Sequence, residues 1–486
     1  DHSVMHIHLI GVSGSGMASL AGLLTTLGHH VTGSDHAFHP PMGPALRSWG
    51  VQTMLGYDPK HLIPAPDLVI VGNVCTRDNP EAQSAMLHGH RVVSMPEAIE
   101  TLILPGRTSY VISGTHGKTT NSSLVAHFLT AAGKQPGFLI GGIPLNFGTS
   151  FSLGDPSGPF VIEGDEYDSA FFEKQPKFWR YRPEAVLLSA LDHDHIDIYP
   201  TMQAYRQAFR EFIHRIPPTG ILVAHAGDPE VRQLAAMAKC EVIYYGIQHQ
   251  DWGQVDPLWQ AAAVETIHGN TAFDLFAGGS FCGRVFSPLN GNHNLLNTIG
   301  AMALCAHHAN VPIPNLIASL RRFQGVKRRQ ELLGITDGVH VYDDFAHHPS
   351  AVKETLAGLR SKYATTKIIA VFEPRSATAC RKLHQHVYPN AFKSADFTIL
   401  APLGRPEIAE TERLDIYQLA KDIGTHAWVA PNVSEIIEKV CSLAQPGDAV
   451  LIMSNGAFDG LYDRLLTALT YRSQNRHRHI SSTHTV

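Results

Sequence analysis

The sequence predicts an α/β protein of three domains, each with a mostly parallel sheet flanked by helices. Three observations lead there. A chain of 486 residues exceeds what one core usually supports, and roughly 150 residues per domain suggests about three. Short apolar runs alternate with helical stretches over most of the length, the pattern of parallel strands covered on both faces. Two strand-to-helix junctions are rich in glycine. Pro105-Gly106 marks one boundary, and the basic Lys327, Arg328 and Arg329 begin the crossing into a last domain. The expected domains are therefore 1–106, 107–324 and 325–486.

Residues 6–10 form a short apolar-rich strand, followed by G-V-S-G-S-G and a helical run over 17–27. This loop (Gly11, Ser13, Gly14, Ser15, Gly16, then Met17) resembles a dinucleotide fingerprint, and Asp35 lies near where an acidic ribose ligand is expected. Residues 68–72 add a buried strand, and 80–88 and 96–104 are helical.

The second domain opens on V-I-S-G-T-H-G-K-T-T, a strand running into a glycine turn and then a helix. Backbone N–H groups of such a turn converge on phosphate oxygens, with the helix N-terminus behind them. Lys118 offers a point charge and Thr119 a hydroxyl for magnesium. Only Thr115 and His116 separate Gly114 from Gly117, whereas the usual phosphate loop has four residues there. A plain strand-turn-helix is the alternative that the motif alone leaves open. Strands over 160–163, 185–191 and 221–224 and a helix over 202–213 continue the alternation. Between 259 and 286 short β-prone pieces, with Gly278-Gly279 suited to a hairpin, predict an antiparallel insertion. Helices over 294–309 and 314–323 close the domain. The third alternates again, with strands over 339–343, 368–372, 397–401 and 450–453, and its polar tail from Arg472 reads as disordered.

Composition narrows the function classes. Lysine plus arginine number 38 against 43 acidic residues, a net charge of −5, without the basic excess that nucleic-acid binding needs. Six scattered cysteines, none in a C-x-x-C pair, argue against disulfides and structural zinc and fit a reducing cytoplasm. No run approaches the roughly 18 apolar residues of a membrane span, so a cytoplasmic protein without membrane contact is expected. The sequence leaves the oligomeric state open.

The chemistry-bearing residues fall at strand ends. E-G-D-E places Glu163, Asp165 and Glu166 at the C-terminal edge of a parallel sheet, where ligands of such sheets bind. L-D-H-D-H-I-D leaves the next strand at that edge with His195. Each cluster alone also reads as a solvated, helix-capping loop. Together with the phosphate loop they point to a cation beside a phosphate. In G-N-H-N-L-L-N, Asn294 and Asn297 lie one turn apart, apt for an adenine edge, although N-capping accounts for Asn292 as well. Arg329, Asp344, His347 and Arg375 stand at strand ends or entries of the third domain and would face a cleft if that domain closes over the second.

Over nearly its full length the chain resembles the Mur ligases. I-G-V-S-G-S-G-M, G-T-H-G-K-T-T, E-G-D-E, D-H-D-H-I-D, G-N-H-N-L-L-N, K-R-R, D-D-F-A-H-H-P and S-N-G-A-F occur in family order, and the family's loop is the short G-T-x-G-K-T. P-G-F-L-I-G-G-I-P-L-N-F-G, E-Y-D-S-A-F-F and E-P-R-S look more like the branch that recycles a cell-wall tripeptide onto UDP-N-acetylmuramate than the branch that adds L-alanine. The resemblance implies that residues 11–17 and Asp35 hold the UDP moiety and that Gly114, Thr115, His116, Gly117, Lys118, Thr119 and Thr120 hold ATP phosphates. It makes Thr119, Glu163 and His195 magnesium ligands, Asn294 and Asn297 adenine contacts, and Arg329 and Asp344 nucleotide contacts. Lys118, His195, His347 and Arg375 are then the catalytic candidates. One departure is that several family members carry a carbamylated lysine where this chain has Phe209.

The reaction that the resemblance implies is ATP-dependent amide formation: a carboxylate attacks the γ-phosphorus, and an amine displaces phosphate from the acyl phosphate. The partners would be UDP-N-acetylmuramate and a murein tripeptide. A UDP-N-acetylmuramate L-alanine ligase is the nearest alternative. A nicotinamide-dependent oxidoreductase reading G-V-S-G-S-G as its cofactor site would leave the G-K-T loop and the carboxylates unused, and a sensor without chemistry would bind the nucleotides and never release ADP.

Overall fold

The computed structural model describes residues 3–39, 42–191, 201–376, 379–404 and 407–483. They form the three-domain α/β architecture expected, organised as two compact units. The first comprises Asp1–Val264, Ala272–Pro288 and Asn294–Gln324; the second comprises Gly325–Val486 with the short segments Glu265–Thr271 and Leu289–His293. The division at 106/107 and 324/325 stands as a proposal.

The first unit contains two large sheets and a two-stranded hairpin, Asp168–Ala170 with Glu173–Pro176. A five-stranded parallel sheet runs in the order Gln52–Leu55, His30–Asp35, His6–Ile10, Leu68–Val71, Val92–Ser94. The order reverses direction beside His6–Ile10, so the loops after it and after Leu68–Val71 part and leave a crevice at the C-terminal edge. Strands such as H-V-T-G-S-D and Q-T-M-L carry too little apolar periodicity to be picked out from the sequence.

The ten-stranded sheet has Thr108–Ser113 between Pro183–Leu188 and Pro159–Gly164, all parallel. Val111, Ile112, Val161, Ile162, Val186 and Leu187 are essentially inaccessible, as strands covered on both faces require. Its far end is made by Trp259–Ile267, Asn270–Ala277 and Ser280–Ser287, the last two joined through Gly278 and Gly279 at φ +62° and +80°, the hairpin expected. The helix Met202–His214 shows why the elements form where they do. Thr201 caps it by accepting from Ala204 N–H at 3.1 Å, and Tyr205, Ala208, Phe209, Phe212 and Ile213 supply one buried face at helical spacing. The two sheets cohere because the helix Ser15–Thr26 docks on the larger one. Ser19 Oγ donates to Ser150 Oγ at 2.7 Å, and a Cβ on Gly22 would lie 2.2 Å from the Phe151 ring.

The second unit has a six-stranded sheet in the order Glu331–Thr336, Val339–Asp344, Ala449–Met453, Ile368–Phe372, Phe397–Leu400, Ala427–Val429, parallel except for its first strand. The tail corrects an expectation. Instead of disorder from Arg472, the helix Leu461–Thr483 runs through most of it. Leu461, Leu465 and Leu469 fix its first turns on the core, and Arg472 then staples the next. Its Nε donates to Asp337 Oδ2 at 2.6 Å and its Nη1 to the carbonyls of Cys441 and Ala444 at 2.7 and 2.8 Å. Arg472→Ala is therefore expected to cost about 2 kcal/mol, because two carbonyls and a carboxylate lose a charged donor. Urea unfolding and limited proteolysis of the tail check it; an unchanged midpoint would mean the helix end is held otherwise.

Candidate active site

The phosphate loop is built by close packing around two glycines. Gly114 has φ +132° and Gly117 φ +80°, values that disfavour side chains. A Cβ on Gly114 would lie 2.2 Å from Ser189 Oγ, and one on Gly117 2.8 Å from Asn297 Oδ1. Ser189, just past the strand Pro183–Leu188, donates to the carbonyls of Ser113 and His116 at 3.3 and 3.2 Å. Thr115 N–H donates to Ala190 O at 2.7 Å, and its hydroxyl pairs with Tyr205 OH at 2.7 Å. The shortened turn is thus a determined conformation. Ser189 and Tyr205, which shape it, carry no motif signal in the sequence.

At the start of the helix Lys118–Ala131, Lys118 Nζ lies 3.0 Å from Glu166 Oε2 and 3.1 Å from Asp165 Oδ1, above the Tyr167 ring. Burial works against the ammonium, yet Glu166, then Asp165, hold its pKa well above the ordinary lysine value. Glu163, one strand away, is in the opposite condition. Burial, then the Asp165 charge, raises its carboxyl pKa against the Thr119 hydroxyl and the Gly141 N–H that bond to it. Its Oε1 is buried without a hydrogen-bond partner among the described residues. A buried, underbonded carboxylate oxygen beside a threonine hydroxyl is a donor set suited to a hard divalent cation. Thr119 and Glu163 fit magnesium on that ground. His195 and its D-H-D-H-I-D neighbours lie outside the described residues. Among the described residues no group of three or more His, Cys, Asp or Glu side chains is arranged to hold a metal.

Lys177 belongs to this neighbourhood and was not singled out from the sequence. The hairpin Asp168–Ala170 and Glu173–Pro176 returns the chain so that Lys177 N–H donates to Tyr167 O at 2.9 Å and Phe178 N–H to Asp165 O at 3.1 Å. Lys177 is buried, which lowers its pKa against the raising influence of Asp165. Phe178 stacks on Phe212 with ring centres 4.2 Å apart and meets Phe209 edge-on at 5.1 Å. Phe209 is wholly buried in this aromatic cluster and offers no ligand atom.

Asn294 and Asn297 share a helix face, with Asn297 Nδ2 donating to Asn294 Oδ1 at 3.3 Å, and Asn297 is the residue packed on Gly117. In the five-stranded sheet, Gly11 turns at φ +82° and Gly14 precedes the helix Ser15–Thr26, so Ser13 of the loop and Ser15, Gly16 and Met17 of the first helical turn sit at the C-terminal edge. Asp35 ties it down: Oδ2 accepts from Ser13 N–H and Oγ at 3.0 and 2.5 Å, and Oδ1 from Tyr57 OH at 3.2 Å and His36 N–H at 2.8 Å.

Within the second unit, Asp344 accepts from Gln330 N–H, Ala346 N–H and Thr355 Oγ1 at 2.8 to 3.0 Å and organises the turn after its strand. The Arg329 guanidinium lies 5.8 Å from the Phe345 ring centre, and His347 Nδ1 lies 3.1 Å from Phe345 O. Arg375 follows the strand Ile368–Phe372 and influences the half-buried Glu373, whose carboxyl pKa is raised by partial burial against Ser454 and Arg375.

Three family models match the chain in order: the Mur ligase family catalytic domain over residues 6–106, the Mur ligase middle domain over 112–305, and the Mur ligase glutamate ligase domain over 328–456. The chain belongs to the Mur ligase family. Among its relatives, the UDP-N-acetylmuramate--L-alanyl-gamma-D-glutamyl-meso-2,6-diaminoheptandioate ligase of Escherichia coli strain K12 is 36% identical over 478 residues, 97% of this chain and 99% of that protein. A UDP-N-acetylmuramate--L-alanine ligase of Rubrobacter xylanophilus is 30% identical over 96% of this chain and 100% of its own length. The crystal structure of a murein peptide ligase from Psychrobacter arcticus 273-4 superposes with a TM-score of 0.74 at 35% identity, covering 96% of this chain and 99% of that one.

Proposed function

We propose that this chain is an ATP-dependent ligase that joins L-alanyl-γ-D-glutamyl-meso-diaminopimelate to UDP-N-acetylmuramate, in peptidoglycan recycling in the cytoplasm. The observation that carries the reading is the nest at the ends of three adjacent parallel strands, where Lys118, Thr119 and Glu163 meet beside the phosphate loop. The tripeptide is favoured over L-alanine because the tripeptide ligase of Escherichia coli is 36% identical over 97% of this chain, whereas L-alanine ligases reach 35% over only 77% of it or 30% over 96%.

In this reading the loop from Gly114 to Thr120 receives the ATP phosphates, with Lys118 exchanging its contacts to Asp165 and Glu166 for a phosphoryl oxygen. Thr119 and Glu163, with His195, hold magnesium, which when bound neutralises phosphate charge and polarises the γ-phosphoryl group. Phosphoryl transfer to the muramate carboxylate depends on position and charge, which this chain supplies through a lysine fixed by its helix and a loop fixed by Ser189 and Asn297. The amine of the tripeptide then displaces phosphate. Asp35 holds the glycine loop that receives the UDP moiety, Asn294 and Asn297 contact adenine, Arg329 and Asp344 the nucleotide, and His347 and Arg375 the amine substrate.

ADP release measured with UDP-N-acetylmuramate and either tripeptide or L-alanine tests the reading directly. Turnover with the tripeptide is expected; turnover with L-alanine alone would overturn the substrate, and hydride transfer without ADP release would overturn the class. Arg375→Lys is expected to raise the tripeptide KM several-fold more than the ATP KM, because lysine keeps the charge and loses the bidentate fork. Equal effects on both would remove Arg375 from the amine site.

A further inference from the structure

Arg375 runs its side chain along two glycines. A Cβ on Gly456 would lie 2.3 Å from Arg375 Cδ, 2.4 Å from Nε and 3.0 Å from Cζ, and one on Gly404 would lie 2.9 Å from Cγ. Neither glycine adopts the positive φ that itself demands glycine. What a side chain would cost at these positions is room for the arginine.

The walls of this slot are pinned independently of Arg375. Arg328 Nη2 donates to the carbonyls of Ser454 and Gly456, both at 2.8 Å, and Gly456 N–H donates to Ser454 Oγ at 3.0 Å. Ser454 Oγ in turn donates to Glu373 Oε1 at 2.7 Å, and Gly404 N–H to Pro374 O at 2.8 Å. A methyl group added at 456 therefore meets a fixed backbone on one side and the end of a flexible side chain on the other. The arginine yields and the loop stays.

We propose that Gly456 is the positioning residue of Arg375 and, through it, a determinant of which amine substrate the enzyme accepts. The second half of this statement rests on the reading of Arg375 given under Proposed function; the first rests on the slot alone. Gly456 touches no reacting atom. Its contribution is to leave the space beside residue 456 that the Arg375 Cδ, Nε and Cζ occupy, so that the fork is presented in one orientation.

The test is a double-mutant cycle on the full chain with Gly456→Ala, Arg375→Ala and the combination, assayed with UDP-N-acetylmuramate, ATP and tripeptide. Gly456→Ala is expected to raise the tripeptide KM about tenfold with the ATP KM within about twofold and the melting temperature within about 2 °C. Added to Arg375→Ala it should have no further effect, because the atom it displaces is gone. Gly404→Ala, which approaches the same side chain from the other wall, should move the same KM in the same direction. Additive effects, or a tripeptide KM that rises with Arg375→Ala and not with either glycine variant, would overturn the slot and leave the substrate reading standing. Arg375→Ala and Gly456→Ala raising the ATP KM together would keep the slot and overturn its role in amine selection.

Discussion

Lys118→Ala is expected to lower turnover by at least 100-fold, because removing a charge that stabilises the transferring phosphoryl group should cost on the order of 3 kcal/mol or more in the barrier. From the sequence alone, Lys118 is a catalytic group whose loss the fold should tolerate. The structure changes that expectation. Lys118 Nζ is 3.0 Å from Glu166, which is inaccessible to solvent, so alanine also takes the ammonium partner from a buried carboxylate. Breaking such a pair costs on the order of 3 kcal/mol in stability. The two losses are separated by Lys118→Arg, which keeps a cation beside Asp165 and Glu166 and places a planar fork where a compact ammonium is needed. We expect the arginine variant to melt near the wild type and turn over about 100-fold more slowly, as ADP release would measure. A variant that retains most of its kcat would remove Lys118 from phosphoryl transfer. One that melts far below the wild type would make the lysine chiefly structural.

The second large effect concerns the cation. Glu163→Gln should raise the magnesium concentration needed for half-maximal activity about tenfold or more, since an amide replaces the buried carboxylate charge at a hard-cation site. Stability should move the other way or not at all. In the protein without metal, Glu163 is held in a buried site beside Asp165, with one oxygen lacking a donor, so its charge opposes folding. The amide relieves that cost. Thermal unfolding with and without magnesium and ATP provides the readout that does not depend on turnover. The wild type should gain melting temperature from the pair, because a ligand that binds the native state alone stabilises it. Glu163→Gln should gain less. A large loss of stability with an unchanged magnesium requirement would make Glu163 a structural residue.

How much of the site is legible in the sequence follows from how local its causes are. The strand Thr108–Ser113, its glycine turn and the helix Lys118–Ala131 are contiguous, and short-range sterics and periodicity mark them plainly. The same holds for Glu163 at the end of Pro159–Gly164, since alternating strands and helices imply a parallel sheet and hence a shared edge for its strand ends. Order, fold class and the loop's lysine and carboxylates were therefore decided by the sequence itself. So was the absence of a carbamate-bearing lysine at 209, because Phe209 is simply the residue there.

Tertiary structure decided what depends on partners far along the chain. Ser189 against Gly114, Asn297 against Gly117 and Tyr205 on Thr115 join segments 75 to 180 residues apart, and no local pattern announces them. Lys177 enters the site because a hairpin reverses the chain, and Asp35 proves to be a loop anchor because Ser13 and Tyr57 reach its two oxygens. The helix through the tail is the same lesson in reverse. Residues 472–483 have no apolar face of their own, and Arg472 reaching Asp337, Cys441 and Ala444, with Arg476 3.2 Å from the same Asp337 carboxylate, supplies from distant sequence what local periodicity lacks. Periodicity and turn sterics act over a few residues and are written in order, whereas packing and hydrogen bonding pair whatever the fold brings within 3 Å.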